Sequence, residues 1–282
     1  MKKQIGIFAL ILVVACSAEE SSIIDTPNEN LLNQPDETFN FTPPEDILAV
    51  DSTTDLDTSI VLTENHESGI NEVVQHYGGS CTQTFGFQKE GLYKGRYFEI
   101  EIKDSETLES YIEVPEIPSS TMAYLFYNKL GPDQANLEFI RASISFNDNK
   151  KSTSEYSVYD LKLVEQKLAV IDQLNERIGN SDYTNVKSML SAELYDFPKD
   201  EFVANMDTVG LLCGKPTGID LYSFQFYELS DSEQQDATTS KSNQRILHIS
   251  YTMLREKQSH ECSVEFYADP TRNEIVDIKY RY

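Results

Sequence analysis

The sequence predicts an α+β fold, with helices packed on antiparallel sheets in two compact regions that follow a disordered acidic tether. Three observations predict it. Apolar residues recur every three or four positions in several segments closed by glycine, the pattern of amphipathic helices. Other segments alternate apolar with polar residues, the pattern of strands with one buried face. Hydrophobic residues make up 39% of the chain, with 14 Phe and 16 Tyr, which is enough for a real core.

The chain opens with a different signal. Met1-Lys2-Lys3-Gln4 is a short cationic start, and Ile5 to Val14 is an almost unbroken apolar run of ten residues. A membrane-spanning helix needs about 20 residues, so this run has the size of the apolar part of a secretory signal. It ends in Val13-Val14-Ala15-Cys16, where small residues let an extended backbone enter a peptidase groove. The segment resembles the bacterial lipobox, with Val13 where Leu is commoner. That resemblance implies a lipoprotein signal peptide over residues 1–15, cleavage before Cys16, and lipid such as palmitate on its thiol. It also implies two or three acyl chains, since a single chain binds only marginally at ~0.8 kcal/mol per buried CH₂. An ordinary signal peptide with a chance cysteine is the alternative. Ser17 stands where Asp would retain a lipoprotein in the inner membrane, and Ser17-Ala18-Glu19-Glu20 resembles acidic surface-export signals. The expected location is the outer membrane, on its periplasmic side or at the cell surface.

Residues 16–58 read as the tether: Pro27, Pro35, Pro43 and Pro44 among polar residues, with no sustained period. From Ser17 to Gln88 there are fourteen acidic residues and no Lys or Arg. Self-repulsion and proline favour an extended, poorly ordered chain. The formal net charge of −24 becomes −26 once Lys2 and Lys3 leave. Such a surface repels phosphate backbones, which excludes nucleic acid as a partner, and it stands off anionic headgroups. Solubility alone explains this charge, and a cationic partner fits it too.

The first α+β region spans 59–160. Ile70, Val73, Val74 and Tyr77 make a helix stopped by Gly78-Gly79, and alternation predicts a hairpin from Cys81–Phe87 to Phe98–Ile102 through Gly91–Gly95. Pro118-Ser119-Ser120 opens a second helix, closed by Gly131-Pro132. A strand follows over Leu137–Phe146, then a turn over Lys150–Glu155 and the start of a strand at Tyr156.

The second region, 161–282, begins with Asp160 as helix N-cap. It contains three helices, ending at Gly179, after Leu190 and at Gly210, and then four antiparallel strands. The strands are Ile219–Glu228, Arg245–Arg255, Glu261–Tyr267 and Glu274–Tyr282, with a serine-rich loop from Ser230 to Asn243. Helices followed by one curved sheet form a layer in which the helices cover a sheet face. This element order resembles the cystatin-like or nuclear-transport-factor-like cone, the fold also of ketosteroid isomerase. That resemblance implies a cavity between helices and sheet, with an inward Asp or His as a possible general base; Asp220 and Asp277 are the strand acids available.

Reactive residues are sparse. Beyond Cys16 there are Cys81, Cys213 and Cys262, of which Cys213 and Cys262 could pair as a disulfide in an oxidising envelope. Without CxxC, redox catalysis is not expected. Glu72 and His76 share a helical face near His66 and Glu67, yet zinc needs three or four spaced ligands and HExxH is absent. His260 and Cys262 share a strand face, but an inward thiol is a poor nucleophile. Aromatic strands suit sugar stacking, although Trp is absent. No catalytic, cofactor-binding or metal residue is assigned. The expectation is a lipid-anchored envelope protein acting as a non-catalytic binding or assembly module, with the membrane and an envelope protein as partners. A cone-type small-molecule enzyme and an accessory component of a surface or secretion system are the alternatives.

Overall fold

The computed structural model describes residues 62–191, 199–228 and 244–281. The signal peptide, Cys16, the tether and the loop from Ser230 to Asn243 lie outside the described residues. The fold is α+β, as the sequence predicts, and the described residues belong to a single compact unit.

Helix α1 (Glu64–Tyr77) is followed by strands β1 (Ser80–Gln88) and β2 (Gly95–Lys103). A single turn, α2 (Glu106–Glu109), leads into α3 (Glu116–Leu130) and then to β3 (Phe139–Ser145) and β4 (Lys151–Ser157). Next come α4 (Val158–Gly179), α5 (Tyr183–Met189) and α6 (Lys199–Cys213). Strands β5 (Pro216–Glu228), β6 (Arg245–Arg255), β7 (His260–Tyr267) and β8 (Ile275–Arg281) complete the fold. The sheets run β1-β2-β3-β4 and β5-β6-β7-β8.

The second sheet is antiparallel throughout, whereas in the first β2 and β3 pair in parallel. The chain between them explains this difference: α2 and α3 carry it across the sheet, and a crossover of that length is what a parallel pair requires. Three boundaries also differ from the sequence reading. The segment read as a turn over Lys150–Glu155 is mostly β4, because the reversal is completed by Asn147–Lys150, with Asn149 at φ 65°. Helix α4 is capped by Ser157, whose hydroxyl accepts from the Asp160 amide. Asp160 instead lies in the first turn, where its charge complements the helix dipole. Helix α6 passes through Gly210 to Cys213, and Gly214 at φ 80° ends it.

One core runs through both sheets. Phe98, Ile100 and Ile102 of β2 and Ile140, Ala142 and Ile144 of β3 meet α1 and α3. There Gly69 lets α1 lie close to α3, since a Cβ would sit 2.5 Å from the Phe126 ring. Helix α4 is buried on more than one stripe, including Leu161, Leu163, Val164, Leu168, Val170, Ile171 and Leu174, because it contacts both layers. The inner face of the second sheet is filled by Tyr251, Met253, Val264 and Phe266 with Phe202, Met206 and Val209 of α6.

Helix α3 also guards the edge of the second sheet. The Thr121 hydroxyl donates to the Tyr222 carbonyl at 2.7 Å, and the Phe224 amide donates to Ser120 Oγ at 3.1 Å. The strand register shifts between Leu221 and Ser223, leaving Tyr222 as the extra residue of a bulge. Such bulges re-aim a side chain, and here the Tyr222 ring is turned out to solvent. Ser120, expected only to help open α3, therefore joins Thr121 in holding β5 in this irregular form.

Candidate functional site

Three places carry unusual chemistry: the outer face of the second sheet, the seam between the sheets, and the interior beneath α6.

The outer face of the second sheet is built by the alternation of β5 to β8. One rung runs Gln225–His248–Glu265–Asp277 and the next Ser223–Ser250–Ser263–Lys279. His248 Nδ1 lies 3.2 Å from Glu265 Oε1, and His248 Nε2 lies 3.1 Å from Ser250 Oγ. The His248 hydrogen bond is the main cause of a lowered Glu265 carboxyl pKa, with Tyr227 adding a second bond and burial opposing both. A groove of about 250 Å³ opens on this face, lined by Tyr222, His248, Ser250, Ser263 and Lys279 among others. A smaller cavity of about 110 Å³ adjoins it, sharing Tyr222 and Thr252 and including His76 and Asp220.

The seam cavity is larger, about 410 Å³, and lies between the β1–β2 turn, β4 and the end of β5. Tyr93, Tyr156, Phe224 and Phe226 supply aromatic walls. At its base Arg245 grips Asp160 through two nitrogens, at 2.7 and 3.1 Å, and the Tyr93 hydroxyl donates to the same carboxylate at 3.3 Å. The Arg245 guanidinium lies 4.1 Å from the centre of the Phe226 ring. Asp160 is only 4% exposed, so this pair is a fixed part of the wall. Leu92, 79% exposed, stands on the rim.

No family model, curated protein or solved structure matches the chain. The side chains themselves therefore carry the functional reading.

The interior beneath α6 holds buried polar groups. Arg255 is buried and donates through Nη1 to the Gly214 carbonyl at 2.7 Å, while its Nε and Nη2 have no hydrogen-bond partner among the described residues. Burial, aided by the Arg255 charge, lowers the His260 pKa to about 4. Burial also pushes the Cys262 thiol up to about 12, so negligible thiolate forms near neutrality. Cys213 and Cys262 are free buried thiols, and Cys81 is a half-buried one.

The other sequence candidates are dispersed. Glu72 pairs with Lys129 at 3.2 Å, and the His76 ring packs edge-on against Tyr77. His66 is a core residue: it stacks on Phe98 at 5.1 Å and closes a capping box with Thr63, and burial lowers its pKa against the pull of Asp133. Asp277 pairs with Lys279 at 2.9 Å, and Asp220 is exposed at the adjoining cavity. Among the described residues no group of three His, Cys, Asp or Glu is arranged to hold a metal ion. The residues that sequence reading missed are Ser250, Glu265, Tyr222 and Arg245. The pattern His248-x-Ser250 places two polar groups on one strand face, but Glu265 joins them only through the β6–β7 register.

Proposed function

We propose that this is a lipid-anchored protein of the bacterial cell envelope, held to the outer membrane through Cys16, whose folded part is a binding or assembly module. The lipobox-like Val13-Val14-Ala15-Cys16 supports the anchor. No helix among the described residues is long and apolar enough to cross a membrane. The seam cavity is the observation that carries the binding role: an aromatic wall beside the buried Asp160 carboxylate, held by the half-buried Arg245. Aromatic residues give large contact area at low entropic cost, while Glu116 and Gln225 on the same wall offer acceptors. The fitting ligand is an apolar side chain flanked by a hydrogen-bond donor or a cation, presented by an envelope protein.

Two measurements test this reading. Cys16→Ser should move the protein from the membrane to the soluble fraction, and continued sedimentation with membranes would refute the lipid anchor. A photo-crosslinking residue in place of Leu92 should give one discrete adduct in intact cells, absent when the same residue replaces Asp148 on the distant β3–β4 turn. Equal adducts from both positions, or none, would refute the seam site.

A further inference from the structure

The groove on the second sheet carries an inference that does not depend on the seam. We propose that Ser250, His248 and Glu265 form a nucleophile–base–carboxylate triad, giving this groove an acyl-transfer activity toward short esters.

The proton positions follow from the donors available. An ionised carboxylate only accepts, so Glu265 requires the proton of His248 on Nδ1, at 3.2 Å. A neutral imidazole with Nδ1 protonated has Nε2 as an acceptor, so the Ser250 hydroxyl, 3.1 Å away, is the donor. That is the order in which a hydroxyl becomes a nucleophile: a base takes its proton and a third group orients the base. The cavity agrees with these roles. Ser250 and His248 line the groove, whereas Glu265 does not. The groups meant to meet substrate are therefore at the opening, and the orienting carboxylate stands away from it with Tyr227 as its second partner.

The neighbouring strands supply groups for the charge that develops during attack. Ser263 is the β7 partner of Ser250 and Lys279 the β8 partner of Ser263. Rungs are spaced by roughly 5 Å per strand, so the Ser263 hydroxyl is adjacent, while Lys279, paired with Asp277 at 2.9 Å, brings its charge to the same face. Both line it. Tyr222, re-aimed by the bulge, forms another part of its wall. A volume of about 250 Å³ suits an acyl group of a few carbons.

The reaction balances without a further reagent than water. Ser250 Oγ attacks the ester carbonyl carbon and its proton passes to His248 Nε2. The carbonyl–alkoxy bond then breaks, and the alcohol leaves with that proton. Water attacks the acyl-serine, gives a proton to His248, and the carboxylic acid departs as the proton returns to Ser250. The sum is ester plus water to acid plus alcohol. Ser250 and His248 are the catalytic residues, and Glu265 is a positioning residue.

The test uses the full-length protein in detergent with a fluorophosphonate probe, the adduct being mapped by peptide mass spectrometry. The expected result is a single modified residue, Ser250, with no label on the heat-unfolded protein or on Ser250→Ala, and undiminished label on Ser143→Ala in the first sheet. His248→Gln should slow both labelling and the hydrolysis of p-nitrophenyl acetate about 100-fold or more. Glu265→Gln should lower kcat with KM unchanged, a split that mere loosening of the sheet would not produce. Folded wild-type protein that leaves Ser250 unmodified overturns the proposal. So does labelling of Ser250 at an equal rate in His248→Gln.

Discussion

The two sheets follow one recipe, four strands with helices on the inner face, yet their outer faces are finished in opposite ways. On the first sheet the outer face is closed by ion pairs. Arg141 reaches Glu155 at 2.8 Å and Glu99 at 3.4 Å and also bonds Gln88, while Lys151 bridges Glu99 and Glu101 at 3.1 and 3.4 Å. Ser143 and Ser145 also donate to Glu99 and Glu101, at 2.9 and 2.6 Å. The Arg141 guanidinium lies 4.2 Å from the Tyr97 ring centre, and that ring lies across Gly86, where a Cβ would come within 2.6 Å of it. On the second sheet the equivalent rungs carry hydroxyls and one histidine beside a groove, with Glu265 bonded to that histidine and an Asp277–Lys279 ion pair. Charge that is mutually satisfied makes a wall, and hydroxyls beside a half-exposed imidazole make a site.

Helix α4 serves both layers, so changes along it separate their contributions. The largest effect is expected at Lys167, which is 0% exposed. Its ammonium donates to the Asp269 carbonyl at 2.9 Å, to the Arg272 carbonyl, and to Asn273 Oδ1 at 3.2 Å. Lys167→Met orphans these acceptors in the β7–β8 turn and should cost about 4 kcal/mol, summed over groups worth ~1–3 each. Chemical denaturation would show this; a loss below about 1 kcal/mol would mean that the second sheet's turn does not rely on α4.

His260 gives the next largest effect, and it depends on pH. Its folded pKa of about 4 lies below the ordinary value of 6.5. The unfolded chain therefore binds the extra proton between those values, and stability should fall as pH drops from about 6.5 to 4, by roughly 3 kcal/mol at most. His260→Gln should flatten that part of the profile. An unchanged slope would place the pH sensitivity elsewhere.

At the seam, Asp160→Ala strands Arg245 and Tyr93. Because the Arg245 side chain is 37% exposed, water recovers part of the loss, and about 2 kcal/mol is expected instead of the full cost of a buried pair. A much smaller loss would show that the two layers hold together by apolar packing alone.

Much of this fold was legible in the sequence. Glycine stops at Gly78-Gly79 and Gly131 marked helix ends because only glycine enters those backbone conformations cheaply, and Phe98, Ile100 and Ile102 marked a strand by strict alternation. The parallel β2–β3 pair was not legible, since local periodicity is blind to partner direction. Strand β4 was hidden because Lys151 to Ser157 is almost wholly polar, its inner side presenting Ser152 and Ser154. The outer groove was hidden for a related reason: His248 and Glu265 are seventeen positions apart, and only register brings them together. Cys16 and the tether rest on sequence alone.

The contrast between the two faces is tested most directly by one pair of variants, Ser143→Ala and Ser250→Ala, each removing a hydroxyl from the outer face of a central strand. Ser143 is 0% exposed and bonds both Glu99 and Thr153 at 2.9 Å. Its loss should cost about 1 kcal/mol, a fall of roughly 2–4 °C in Tm, with reactivity toward the fluorophosphonate unchanged. Ser250→Ala should leave Tm within about 1 °C of wild type while removing all reactivity. Equal thermal losses from the two variants, with no reactivity lost in either, would contradict the distinction between a structural face and a functional one.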